Sequence, residues 1–147
     1  MSVTEKYDMA SPDWERKIRH LGYSQAYFAF LRSHAITSGP VLDVGAGTGA
    51  FARAWVAAKG SQDLTLLEPS SAMLQAAQTS LAECDVKPAI ANTTIEEYDP
   101  PRQFETVLAA HVVEHFPDPA VALRLVAQWL VPGGKMILVV SRPHWCN

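Results

Sequence analysis

The sequence predicts a doubly wound α/β fold on a mostly parallel sheet, and three observations carry that prediction. Strand and helix signals alternate from Val41 onward. The stretches Val107-Leu108-Ala109-Ala110 and Met136-Ile137-Leu138-Val139-Val140 are apolar on both faces, as strands covered by helices on both sides must be. Finally, Val41-Leu42-Asp43-Val44 runs straight into Gly45-Ala46-Gly47-Thr48-Gly49, a strand-to-helix turn of alternating glycines where backbone can approach a ligand closely.

The elements follow in order. Ser11-Pro12-Asp13 reads as a helix start, and Ile18, Leu21, Gln25-Ala26, Phe28 and Leu31 roughly keep a helical period until Gly39-Pro40. Residues 1–39 are thus expected to be an N-terminal helical segment and residues 40–147 the α/β domain. Within that domain a strand over Val41–Val44 leads to a helix over Ala50–Lys59 that Gly60 stops. A strand over Leu64–Leu67 leads to a helix from Ser71 to Glu83, with Ser70 as its N-cap. Lys87–Ala91 and Phe104–Ala110 read as strands, and Asp118-Pro119 opens a helix reaching Leu130. Pro132-Gly133-Gly134 reads as a turn into a last strand over Lys135–Val140.

Hydrophobic residues make up 48% of the 147 positions and charged ones 18%, enough apolar surface for one core. A net charge of -3 and no dense Lys/Arg run argue against general nucleic-acid binding. Lys6, Arg16, Lys17 and Arg19 are diluted by Asp8, Asp13 and Glu15 and read as a solvated helix face. Cys84 and Cys146 lack metal-ligand spacing and read as reduced thiols, with no disulfide and no metal expected. No signal-peptide pattern opens the chain and no apolar run reaches membrane-spanning length, so the expectation is a cytoplasmic protein without membrane insertion.

In an open parallel sheet the ligand lies beyond the carboxyl ends of the strands, which brings Asp43, Glu68 and His111 together by topology. No lysine stands between Gly45 and Ala58, so the loop is not a nucleoside-triphosphate P-loop. Gly45, Gly47 and Ala50 do satisfy the dinucleotide pattern G-x-G-x-x-A, with Glu68 about where a ribose-binding acid belongs. Asp43 separates the readings. A carboxylate two residues before the first glycine would face the pyrophosphate of NAD unfavourably and suits a ligand bearing an ammonium group.

At these residues the sequence resembles the class I S-adenosylmethionine-dependent methyltransferases. Val41 to Gly49 looks like their first motif and Leu64-Thr65-Leu66-Leu67-Glu68 like their second. Phe104-Glu105-Thr106-Val107, His111-Val112-Val113-Glu114-His115-Phe116 and Leu130-Val131-Pro132-Gly133-Gly134-Lys135 continue the resemblance through the fourth and fifth strands. It covers roughly residues 41–141 and implies a Rossmann-like fold, with the preceding helix as a lid.

The resemblance implies that Asp43 and the backbone of Gly45, Gly47 and Gly49 hold the methionine part of S-adenosylmethionine, or of its product S-adenosylhomocysteine. Glu68 would accept hydrogen bonds from both ribose hydroxyls, Met73 would cover the adenine face, and Thr94-Ile95 would meet the adenine edge. The backbone around His111 would approach the amino group. Thr94 departs from the family's usual acid, and Glu105 from its usual Asp. Bland readings stand beside these: Glu68 as a solvated strand end, Met73 as a core side chain, His115 as the end of a surface turn.

The family builds seven strands, and the sixth and seventh are absent from this sequence, which leaves the fifth as an apolar edge open to self-association. Truncation of a longer protein is the expected reason. The turn His111 to Phe116 resembles the branch that methylates small molecules, so a small-molecule acceptor is expected. A hydroxyl or ammonium acceptor also needs a base, for which His111, His115 and His144 are candidates. Two other functions remain open: a non-catalytic S-adenosylmethionine-binding or regulatory domain, and an NAD-dependent oxidoreductase.

Overall fold

The computed structural model describes residues 23–141. Its centre is strand β1 (Val41–Val44), flanked by β2 (Leu64–Leu67) and β4 (Phe104–Ala110), with β3 (Ala89–Ala91) and β5 (Leu130–Val139) outermost. The order β3-β2-β1-β4-β5 is parallel throughout. The order reverses at β1, so the crevice beyond the carboxyl ends of β1 and β4 is the switch point where such sheets bind ligands. The described sheet is thus the α/β, Rossmann-like arrangement the sequence predicts.

Each central strand is buried on both faces, and residue parity assigns each face a core. Val41, Leu64, Leu66, Leu108 and Ile137 pack with Tyr27 and Leu31 of helix α1 (Tyr23–Leu31) and with Phe51 and Trp55 of α2 (Ala50–Ala57). Leu74, Ala77 and Leu81 of α3 (Ser71–Ala82) complete this side. Leu42, Val44, Leu67 and Val107 face the other way, onto Ala122 and Val126 of α4 (Pro119–Ala127) and onto Trp129. Asp43 shares the parity of Val41 and so lies on the α1–α2 side. Full burial of a large apolar side chain contributes about 1.5–3 kcal/mol, and Trp55 and Phe104 are each no more than 1% exposed.

Helix ends follow local chemistry. Ser70 accepts from the Met73 N–H at 3.2 Å, and Asp118 accepts from Ala120 and Val121 with Pro119 at the first helical position. Helix α2 stops at Ala57, before the expected Lys59, because Lys59 turns left-handed at φ 66° and the Gly60 N–H reaches back to the Trp55 carbonyl. Packing requires glycine at 60. A Cβ there would lie 2.3 Å from the Trp55 ring.

The far edge departs from expectation. Helix α4 ends at Ala127 instead of reaching Leu130, and β5 already begins at Leu130. Pro132-Gly133-Gly134 is therefore no turn before the strand but an irregularity within it. Between Phe104 and Thr106 of β4, the partners on β5 jump from Leu130 to Lys135. Proline is tolerated there because β5 is the outermost described strand, where a missing N–H breaks no ladder on the open side. Leu138 is 37% exposed.

The stretch containing Ser11-Pro12-Asp13, Ile18 and Leu21, the basic residues Lys6 to Arg19, and His144 and Cys146 lie outside the described residues. Cys84 is a half-buried free thiol. Among the described residues no helix is long and apolar enough to cross a membrane, and no His/Cys/Asp/Glu group is disposed to hold a metal.

Candidate binding cavity at the switch point

A cavity of about 330 Å³ opens at the carboxyl ends of β1, β2 and β4, within the range of about 300–1,000 Å³ usual for small-molecule sites. The structure brings Asp43, Gly45, Gly47, Glu68, Met73, Thr94, Ile95, His111 and His115 to its walls. Gly49 is not among the lining residues.

The glycines shape the loop more than they contact a ligand. Gly45, Gly47 and Gly49 all have positive φ. A Cβ on Gly45 would stand 2.4 Å from Val112 Cγ2, and one on Gly49 would stand 3.0 Å from Ala77 Cβ, so Gly49 lets α2 pack against α3. Their N–H groups are engaged internally: Gly45 donates to the Leu67 carbonyl, Gly47 to Glu68 Oε1 and Gly49 to the Ala46 carbonyl. The donors left for an anion belong to the opening turn of α2, whose N-cap Gly49 offers no side-chain acceptor. Ala50 and Phe51 of that turn line the cavity.

Two carboxyl groups dominate the electrostatics. Glu68, 6% exposed, accepts from Gly47 N at 3.0 Å on Oε1 and from Ser70 N at 2.8 Å on Oε2. It is therefore no solvated strand end. A carboxylate offers about four lone-pair sites, and these two backbone donors fix one oxygen each. Asn92 donates to the Glu68 and Pro69 carbonyls and fixes the exit of β2. Asp43 is 1% exposed, and its Oδ2 is buried with no hydrogen-bond partner. Burial, and then the charge of Glu68, hold its carboxyl well above the ordinary value of 3.8.

Between β2 and β3, Met73 is 1% exposed yet lines the cavity, so it is core and wall at once. Ile95 is 7% exposed and lines it too. The Thr94 hydroxyl accepts from Glu97 N at 3.3 Å, which makes it a turn cap. Glu96, two residues on, supplies an acid to this wall.

The opposite wall is aromatic. His111 ends β4 with φ 58°, a left-handed conformation rare for a residue with a Cβ. Its N–H donates to the Val139 carbonyl at 2.7 Å, its Nδ1 lies 2.8 Å from Ser141 Oγ, and its ring stacks on Tyr23 at 5.4 Å between centroids. Its Nε2 is buried without a partner. Glu114 Oε2 accepts from Ser141 N at 2.6 Å, tying the turn Val113–His115 to the end of β5. Tyr27 packs edge-on against Phe51 at 4.9 Å. Burial, with Tyr23, Asp43 and Glu114 nearby, raises its phenol pKa far above the usual value.

Sequence reasoning missed Tyr27, Thr48 and Phe116 as lining residues. The Tyr23/Tyr27 pair, one helical turn apart, was the available signal for the first. Thr48 is 4% exposed with its hydroxyl unpartnered, and nothing in its identity distinguishes it from a loop spacer.

A family model described as a methyltransferase domain matches residues 42–136. The ubiquinone biosynthesis O-methyltransferase of Alkalilimnicola ehrlichii is 38% identical over 100 residues, covering 66% of this chain and 39% of that protein. Its counterpart from Bradyrhizobium diazoefficiens is 33% identical over 105 residues, with 71% and 41% covered. The chain thus spans about two fifths of the length of these curated relatives. Among solved structures, a DhpI–SAH complex superposes with a TM-score of 0.80 at 23% identity, over 97% of this chain and 69% of that one. The glycopeptide N-methyltransferase MtfA complexed with sinefungin gives a TM-score of 0.64 at 26% identity, over 78% and 52%.

Proposed function

The chain belongs to the class I S-adenosylmethionine-dependent methyltransferase family, and from that premise we propose that its cavity binds S-adenosylmethionine and serves methyl transfer to a small-molecule hydroxyl. The observation that carries this is the pair of buried carboxyl groups on neighbouring strand ends, one with an unpartnered oxygen facing a need for a donor. The ammonium of a methionine moiety answers Asp43, ribose hydroxyls answer the Glu68 carboxylate, and a carboxylate answers Thr48 and the opening turn of α2. Met73 and Ile95 would sandwich the adenine, with Glu96 rather than Thr94 as the nearby acid.

When bound, the cofactor supplies a methyl carbon already made electrophilic by its sulfonium. The protein must then align an acceptor lone pair with that carbon and exclude water, and positioning of this kind contributes about 7–11 kcal/mol. Tyr27, Phe51 and Phe116 supply an apolar wall for the acceptor, with helix α1 covering it as a lid. A hydroxyl acceptor must also lose its proton, and among the described residues His111 and His115 are the histidines that line the cavity for that step. The preference for a hydroxyl follows the O-methyltransferase relatives. Isothermal calorimetry with S-adenosylhomocysteine, followed by methyl-transfer assays on phenolic acceptors, tests the reading. Binding without turnover in the protein carrying this chain would favour a non-catalytic binding domain instead.

A further inference from the structure

The turn that follows β4 is tied to the end of β5 at three points. His111 N donates to the Val139 carbonyl at 2.7 Å, Ser141 N donates to Glu114 Oε2 at 2.6 Å, and the Ser141 hydroxyl lies 2.8 Å from His111 Nδ1. Packing adds a further restraint, since the His111 ring stacks on Tyr23 at 5.4 Å and lies 6.0 Å from Tyr27 between centroids. The ring is thus fixed on a backbone already held at φ 58°. A histidine fixed this firmly still has two neutral forms, and only the form whose Nε2 is bare can take a proton there.

Ser141 chooses between them. Its hydroxyl can give a hydrogen to Nδ1 or accept one from it. The Glu114 carboxylate, bound to the N–H of the same residue, draws the hydroxyl's own hydrogen toward itself and leaves the Oγ lone pairs to Nδ1–H. Burial points the same way. The contact with Ser141 is on the exposed side of the ring and Nε2 is buried, and no described residue accepts from Nε2. A hydrogen on Nε2 would be an orphaned buried donor, which proteins tolerate less well than a buried lone pair.

Resting on the methyl-transfer reading above, we infer that Ser141 is a positioning residue whose hydroxyl accepts from His111 Nδ1–H and so keeps the Nε2 lone pair ready for the acceptor's proton. His111 belongs to the cavity wall, and Ser141 acts only through it. As the acceptor oxygen bonds to the methyl carbon, the carbon–sulfur electron pair goes to sulfur and the hydroxyl proton passes to Nε2. The resulting imidazolium keeps its Nδ1–H on Ser141 Oγ.

Proton–nitrogen NMR of the ¹⁵N-histidine-labelled protein distinguishes a protonated ring nitrogen from a bare one, with His111→Asn identifying the signals of His111. At about pH 8.5, where an ordinary histidine of pKa about 6.5 is neutral, the wild-type ring should carry its hydrogen on Nδ1 and leave Nε2 bare. Ser141→Ala should populate the opposite form as well, and Ser141→Thr, which keeps the hydroxyl, should restore the single form. With S-adenosylmethionine as donor and catechol as acceptor, Ser141→Ala should lower kcat about tenfold and change KM for S-adenosylmethionine less than about threefold. Ser141→Thr should recover most of that loss. A wild-type ring protonated at Nε2 overturns the inference, as does a Ser141→Ala protein whose ring form or kcat matches wild type. Should Ser141→Ala fail to fold, the wild-type spectrum alone still decides. The ring form is read without cofactor or acceptor, so failure of the wild-type protein to methylate catechol would count against the hydroxyl reading and not against the Ser141–His111 assignment.

Discussion

The two walls of the cavity are built on different principles. The wall formed by β1, β2 and the starts of α2 and α3 comes from one run of sequence, residues 43–73, and is held by backbone hydrogen bonds to Glu68 and Ser70. The facing wall gathers Tyr27, His111, His115 and Phe116 from α1, the end of β4 and a short turn, and is held by ring stacking and by Ser141. A wall made of strand ends and backbone is rigid and suits a ligand common to a whole family. A wall made of side chains from a helix and a turn can be re-lined residue by residue, which suits a variable acceptor.

The largest expected effect breaks the first wall. Gly45→Val would drive a side chain into Val112 at a positive φ, costing about 3 kcal/mol or more. A thermal melt should show a drop of many degrees, and S-adenosylhomocysteine binding should vanish. Next, on the second wall, His111→Asn keeps a residue that tolerates the left-handed conformation but removes the ring. Turnover should fall about 10²-fold while cofactor affinity changes less than threefold. An equal loss in both would place His111 on the cofactor side and erase the distinction between the walls.

Glu68→Gln returns to the first wall with a subtler change. One of its two backbone donors would then face an amide NH₂ in place of an oxygen, and affinity for S-adenosylhomocysteine should weaken by about 2 kcal/mol, roughly 30-fold. Calorimetry reads it directly.

The smallest effect is on stability. Asp43 holds its proton more tightly when folded than when unfolded, so its contribution is complete below the ordinary value of 3.8 and is lost as pH rises through the raised folded value. Asp43→Asn removes that dependence. The melting temperature of the variant relative to wild type should therefore climb from about pH 4 upward, and a constant difference would contradict the raised pKa.

The same division explains what was legible in the sequence. The first wall is written in contiguous residue types whose chemistry is local: Asp43, the glycines and Glu68 were readable together, and so was the Ser70 cap. Even there, identity did not reveal partners. Nothing in Gly47 or Gly49 says that one donates to Glu68 and the other packs on Ala77. The second wall depends on tertiary juxtaposition, so nothing local marks Tyr27 as a wall residue and nothing in His111 announces its left-handed backbone. At the edge, Pro132-Gly133-Gly134 carried true turn chemistry, but an edge strand can absorb such residues as an irregularity without ending.

Titration of the protein with S-adenosylhomocysteine and, separately, with NAD tests the central claim most directly. The expected result is saturable binding of S-adenosylhomocysteine that Gly45→Val abolishes and Glu68→Gln weakens, and no binding of NAD. Saturable NAD binding with no response to S-adenosylhomocysteine would contradict it.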